Sequence, residues 1–222
     1  MSYPINYPTP QGANVQIFQE GGTTSDWVKP QGASFVWFTL IGAGSAYDTS
    51  FPRAGGSGAV VNCMVPAFLT PDTLLVTVGA GPKVANVAGG ASIVSYRIKG
   101  NYTLLTAAGG QANGAGGSAD AGGPFTAAGF FQSIGGQDGT TGINQNASAT
   151  TFLSGGTTGG WAVNGNYGYS APVGGPNGFF QMQPIIVGLG AANKKAGTGC
   201  GGAYGATGAA GGGDGMVVII TW

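Results

Sequence analysis

Residues Ser34 to Asp48 read SFVWFTLIGAGSAYD, a hydrophobic run that closes on Gly-Ala-Gly. A strand ending in such a turn can present backbone N–H groups to a pyrophosphate, provided a third glycine follows, a helix opens and an acid stands about 20 residues further on. Here Gly42-Ala43-Gly44-Ser45-Ala46-Tyr47 lacks the third glycine, and position 62 is Asn. The residues that follow, DTSFPRAGGSG, hold Pro52 and three glycines and cannot open a helix. A full G-x-G-x-x-G does occur at Gly197-Thr198-Gly199-Cys200-Gly201-Gly202, but in so glycine-rich a stretch the spacing arises by chance. The phosphate-loop pattern is missing, because Lys194-Lys195 run into Ala196-Gly197. No cofactor is expected.

Other chemistry is thinly supplied. The chain has no histidine, which removes the commonest general base and the commonest metal ligand together. Cys63 and Cys200 are too few for a zinc site, and they leave two readings open, a disulfide or two small buried side chains. The acids are Glu20, Asp26, Asp48, Asp72, Asp120, Asp138 and Asp214, most of them beside Gly, Ser, Thr or Pro, where Asp commonly forms turns. Asn101-Tyr102-Thr103 and Asn146-Ala147-Ser148 fit a glycosylation acceptor, a pattern idle without secretion. No catalytic or metal-binding residue is assigned, and the expectation is a protein that is not an enzyme. Trp161, Tyr167 and Tyr169, set among Asn and Gly, are the candidates for a ligand surface, since exposed aromatics can stack on sugar rings. The competing reading has them separating packed glycine layers.

The elements that must carry these residues are strands. Short β-branched and aromatic runs occur at 14–19, 34–41, 59–65, 74–78, 92–99, 102–106 and 216–222, each bounded by Gly, Pro, Asn or Asp. No window keeps a helical apolar period without a Gly or Pro breaking it. Phe35 to Ile41 is apolar on both faces and belongs in the middle of a sheet, covered on each side. In 92–99 the residues Ile93, Ser95, Arg97 and Lys99 alternate with Val94, Tyr96 and Ile98, which suggests one wet face.

Between Ala107 and Gly215 lie 33 of the 47 glycines, and glycine overall reaches about three times its usual share of roughly 7%. A flexible linker would hold little besides Gly and Ser. Here the tracts alternate with Phe125, Phe130-Phe131, Phe152, Trp161, Tyr167, Tyr169, Phe179-Phe180 and Tyr204, side chains that argue for packing. Two arrangements fit: polyproline-II-like glycine helices bonded side by side through their free N–H and C=O groups, or irregular surface loops. Charged residues make up 6% against a typical 25% or so, with seven acids balancing seven bases. Without a basic field, nucleic acid is not an expected partner. No segment approaches the ~20 apolar residues that span a bilayer, so no membrane insertion is expected. The first residues show no signal peptide, and synthesis as a soluble cytosolic product is expected.

The order of motifs resembles the glycine-rich domains of bacteriophage tail and fibre proteins. It runs from Trp27-x-Lys29-Pro30 through FVWFTLIGAGSA, the GGSGA of Gly55–Ala59 into VVNCMV, TPDTLLVTVGAGP, GGASIV and LLTAAGG to a terminal GGGDGMVVIITW. The resemblance implies an all-β, jelly-roll-like β-sandwich with a long glycine-rich insert before its last strand. It divides the chain into an N-terminal arm and first strand (1–26), a sandwich (27–106 with 214–222) and an insert (107–213). It further implies a virion structural protein, a knob, spike or fibre-tip component contributing to host attachment. Its expected partners are copies of itself, with a trimer favoured, other virion proteins reached through Met1–Gln11, and a host cell-surface glycan or protein. A glycine-rich protein that recognises a repetitive surface such as polysaccharide or ice is the alternative.

Overall fold

The computed structural model describes residues 12–48, 54–96, 102–118, 124–127, 129–136, 138–139, 161–162, 198–199, 201–202, 204–205, 208–209 and 211–222. Met1–Gln11, and with it the expected attachment arm, lies outside them.

The apolar runs form strands where their periodicity places them. One antiparallel sheet has the order β1 (Asn14–Phe18), β12 (Met216–Thr221), β3 (Phe35–Ile41), β4 (Val60–Pro66) and β8 (Phe130–Ile134). The facing antiparallel sheet has the order β2 (Thr24–Val28), β5 (Thr73–Thr77), β6 (Ser92–Tyr96) and β7 (Tyr102–Ala107). The fold is therefore an all-β sandwich. Helical structure among the described residues is confined to two 3-10 turns, Ala67–Leu69 and Pro124–Ala127. A further small sheet joins β9 (Trp161–Ala162), β10 (Tyr204–Gly205) and β11 (Gly208–Ala209).

Between the two large sheets Trp27, Val36, Phe38, Leu40, Val61, Leu74, Val76, Leu105 and Ile219 are fully buried in one cluster. Trp27 meets Phe38 edge-on at a centroid distance of 6.2 Å, the offset geometry that the ring quadrupoles favour. Burying a side chain of this size contributes about 1.5–3 kcal/mol, so this cluster dominates the drive to fold. β3 lies between β12 and β4 and is buried on both faces toward its end. Phe38 and Leu40 face the core, while Ile41 joins Val60, Met216 and Val218 in a second cluster. Thr39, buried on the same side as Ile41, accepts from Trp37 Nε1 at 3.1 Å and donates to Asn62 Oδ1 at 2.8 Å, which leaves its hydroxyl satisfied.

The glycine-rich span adds to the sandwich. Phe130-Phe131 begin the edge strand β8, which pairs with β4, and Phe125 inserts from the second 3-10 turn to lie 5.7 Å from the ring of Phe38. Cys63 is a free thiol buried beside it, with Sγ 3.6 Å from the Phe125 carbonyl oxygen. Desolvation there pushes its pKa from 9.0 up to about 11, so it stays a protonated, unreactive thiol. Cys200 lies outside the described residues.

One expectation fails in β6. Val94 and Tyr96 pack on the core, but the Ile93 and Ser95 side is not wet, since Ile93 is half-buried and Ser95 is buried. The ladder to β7 has an irregularity between Val94 and Ser95, and such a bulge interrupts the two-residue alternation on which the expectation rested.

The register sorts the loops into two poles. Phe18, Met216, Ile41, Val60 and Ile134 end at one pole of the first sheet, and Thr24, Thr77, Ser92 and Ala107 at the same pole of the second. The connections leaving there are the glycine-rich ones. At the opposite pole the short segments 29–34 and 67–72 join β2 to β3 and β4 to β5. β12 sits between β1 and β3, so the end of the described chain completes a sheet begun some 200 residues earlier. Deleting Met216–Trp222 strips β1 of its ladder and β3 of one of its two, opens the middle of the sheet, and should abolish soluble folding. Expression followed by a thermal melt checks this, and a soluble truncated protein with an unchanged transition would contradict it.

Candidate functional site

At the glycine pole the chain does not turn back where β3 ends. Residues 42–46 instead run on as a buried segment at the centre of a bundle. Ala43, Ser45 and Ala46 are fully buried.

The bundle is defined by its backbone hydrogen bonds. Gly42 and Ser45 donate to Ala59 and Gly56 of segment 54–59, at 2.9 and 3.0 Å. Ala43 and Ala46 donate to Gly90 and Val87 of segment 87–91, both at 3.0 Å, and Gly44 donates to Gly213 at 2.9 Å. Successive N–H groups thus point to three different neighbours, and the direction repeats after three residues. A helix with three residues per turn and no internal hydrogen bonds produces this pattern; a β-strand, with its period of two, does not. The carbonyls of Ala43 and Ser45 accept in turn from Gly110 and Gly202, so five segments surround the central one.

The same three-residue step recurs outside the centre. Gly55 and Gly58 donate to Gly202 and Gly199, and Gly136 and Gly139 donate to Gly117 and Gly114. Segments 42–46, 54–59 and 136–139 are thus bonded in the polyglycine-II manner, while most of the insert 107–213 for which the two arrangements were open lies outside the described residues. The first two of these segments come from before residue 107.

Close approach explains the glycines better than backbone freedom does. Among the described glycines only Gly12, Gly22, Gly32, Gly114 and Gly199 have positive φ. A Cβ on Gly58 would collide with the Gly42 carbonyl, one on Gly42 with that of Ala108, and one on Gly212 with that of Gly44. These obstacles are backbone and cannot rotate away. Ala and Ser stand where the side chain finds room, and Ser45 uses its hydroxyl to accept from Gly56 N–H at 2.9 Å.

Two side chains fasten the bundle to the sandwich. Ser92 Oγ, at the first position of β6, accepts from Gly79 N–H at 3.1 Å and donates to the Ile41 carbonyl at 2.7 Å, which joins the two sheets at the root of the bundle. Asp214 Oδ1 accepts from Gly81 N–H at 2.7 Å, and its carbonyl accepts from Gly199 N–H. Asp138 Oδ1 takes the Gly116 N–H at 2.9 Å. These acids tie separate glycine segments together.

The nucleotide-like motifs are absorbed by this scheme. Gly42-Ala43-Gly44 is the first half of the central helix, and Gly199 and Gly202 form one of its neighbours. Among the described residues no three of His, Cys, Asp and Glu gather in a way that could hold a metal ion.

Of the candidate surface residues, Trp161 lies in β9, register partner of Tyr204 in the parallel ladder to β10. Tyr204 follows Gly202 of the bundle by two residues, roughly 7 Å of extended chain, so the backbone brings Trp161 to the glycine pole. Tyr167 and Tyr169 lie outside the described residues, as do Asp120 and Lys194-Lys195. Sequence reasoning missed Ser92 and the central role of 42–46. The available signal was a core strand running straight into residues no larger than serine.

No protein-family model and no curated protein sequence matches the chain.

The packing account separates glycines by cause. Gly58→Ala should cost about 3 kcal/mol or more, because its Cβ meets fixed backbone. Gly32 has open space around it but a φ of +81°, so Gly32→Ala should cost only about 1–2 kcal/mol. Urea unfolding of both variants checks this, and equal losses would contradict it.

Proposed function

We propose that the protein is a non-enzymatic structural component of a bacteriophage virion appendage, a knob, spike or fibre tip, and that its glycine pole contributes to attachment at the host surface. The observation that carries the reading is the bundle. A sandwich of ordinary construction gathers its glycine-rich connections at one pole and packs them into a solid body through backbone bonds. Such a body stays ordered with few charges and no metal, which suits a particle part exposed outside the cell. It also resembles in sequence order the glycine-rich domains of tail and fibre proteins, whose jelly-roll-like form is the finer reading of this sandwich.

Attachment by this route needs no deep pocket. Several copies on one particle, each making weak contacts, give avidity far above that of a single contact. A homotrimer is the assembly this reading favours, with other virion proteins as its neighbours in the particle and a cell-surface glycan or protein as the target. Trp161, whose backbone in β9 pairs with β10, and Tyr167 and Tyr169 are the aromatic residues on which this reading has a sugar ring stack.

Two measurements test the reading. Antibodies raised against the purified protein should decorate an appendage in electron micrographs of particles whose genome encodes it; label confined to host debris would overturn the virion assignment. Changing Trp161, Tyr167 and Tyr169 to Ala together should lower binding of the protein to host cells about tenfold or more, since hot-spot aromatics each carry upwards of 1–2 kcal/mol. Unchanged binding by a variant with an unchanged melting transition would leave a scaffold role and remove the adhesive one.

A further inference from the structure

The pole opposite the bundle carries apolar surface that the proposed attachment does not use. Val28, Leu69 and Phe68 are 63%, 44% and 83% exposed there. Between segment 29–33 and the first 3-10 turn lies an open cleft of about 440 Å³, lined by Val28, Lys29, Pro30, Ala33, Phe68 and Asp72. Its walls are fixed. Lys29 N–H donates to the Asp72 carbonyl at 2.8 Å, and Lys29 Nζ donates to the carbonyls of Ala67 at 3.1 Å and Thr70 at 2.7 Å. The ammonium also pairs with Asp72 Oδ1 at 2.9 Å, so its three donors are all spent on holding the two walls together. What is left to a ligand is a preformed apolar trough with a mostly exposed carboxylate on its rim. Shallow grooves of that kind receive polyproline II segments, which lose little freedom on binding.

We propose that this cleft is the docking site of segment Tyr3–Pro10 of the same chain, bound as a polyproline II helix. The segment, YPINYPTP, carries three prolines and no charge. With three residues per turn, Pro4, Tyr7 and Pro10 fall on one edge and form a continuous apolar face of roughly 19 Å. The phenol of a tyrosine can donate to the rim carboxylate of Asp72.

Position favours the same chain as the source. β1 begins at Asn14, opposite Thr221, and the next residue, Trp222, accepts from Ser34 N–H at 2.7 Å, beside the cleft segment 29–33. Only β12 stands between β1 and that segment, a distance of roughly 10 Å. The four steps from Pro10 to Asn14 reach roughly 12 Å, enough to cross that gap and bring Pro10 to the cleft.

The test uses the full chain with p-benzoylphenylalanine in place of Tyr7, irradiated as an equal mixture of isotopically light and heavy protein. The expected adducts join position 7 to residues 28–33 or 67–72 within one chain, and Phe68→Asp, an exposed change that leaves the melting transition in place, lowers their yield at least tenfold. Adducts at other places, an unchanged yield in Phe68→Asp, or adducts of mixed mass showing a second copy in the cleft would each overturn the proposal.

Discussion

The backbone of residues 42–46 is buried and makes no hydrogen bonds within its own segment, so its five N–H groups must bond sideways to other segments. That requirement governs the glycine pole. An unpaired buried amide costs about 1–3 kcal/mol, and five such residues in a row could not be carried by a domain of marginal stability. Segments 54–59, 87–91, 211–215, 108–110 and 199–202 answer it by lying close enough for N–H to meet carbonyl at 2.8–3.0 Å. Closeness in turn excludes Cβ atoms at the contacts, and glycine content follows from the hydrogen bonding rather than from any need for flexible loops.

The sandwich and the bundle depend on each other through shared segments. β3 feeds the central helix, β4 leaves its first neighbour, β5 and β6 flank the pair of segments at 79–82 and 87–91, and β12 follows directly on 211–215. The sheets set where each glycine segment starts and in which direction it runs. The bundle, for its part, covers a sandwich end that would otherwise present open carbonyls and N–H groups to solvent. Ser92 is where the two systems touch, since one hydroxyl serves the last carbonyl of β3 and the amide of Gly79.

Much of the sandwich was legible because its signals are local. The alternation and β-branched content of 14–18, 60–66 and 73–77 fix strands without knowledge of partners, and the apolar Met216–Thr221 required a place inside a sheet. β2 was harder to see, since Thr24-Ser25-Asp26 is polar and only Trp27 faces the core. β8 was hidden by its glycine surroundings, although Phe130-Phe131 announced that something packs there. The bundle was visible only as a possibility: a composition rich in glycine permits polyglycine-II packing, but the neighbours of 42–46 come from five separated stretches, and no local pattern names them. The binding surface is least legible of all, because stacking on a ligand and packing in a layer call for the same aromatic residues.

Amide hydrogen exchange on the intact protein tests the central claim most directly. The amides of Gly42, Ala43, Gly44, Ser45 and Ala46 belong to no α-helix or β-strand, yet if they are bonded to three neighbours in rotation they open only when the whole domain opens. They should exchange as slowly as those of Phe38 and Leu40 in β3, within about a factor of ten. Exchange at the rate of exposed loop residues, with β3 still protected, would contradict the bundle and the account built on it.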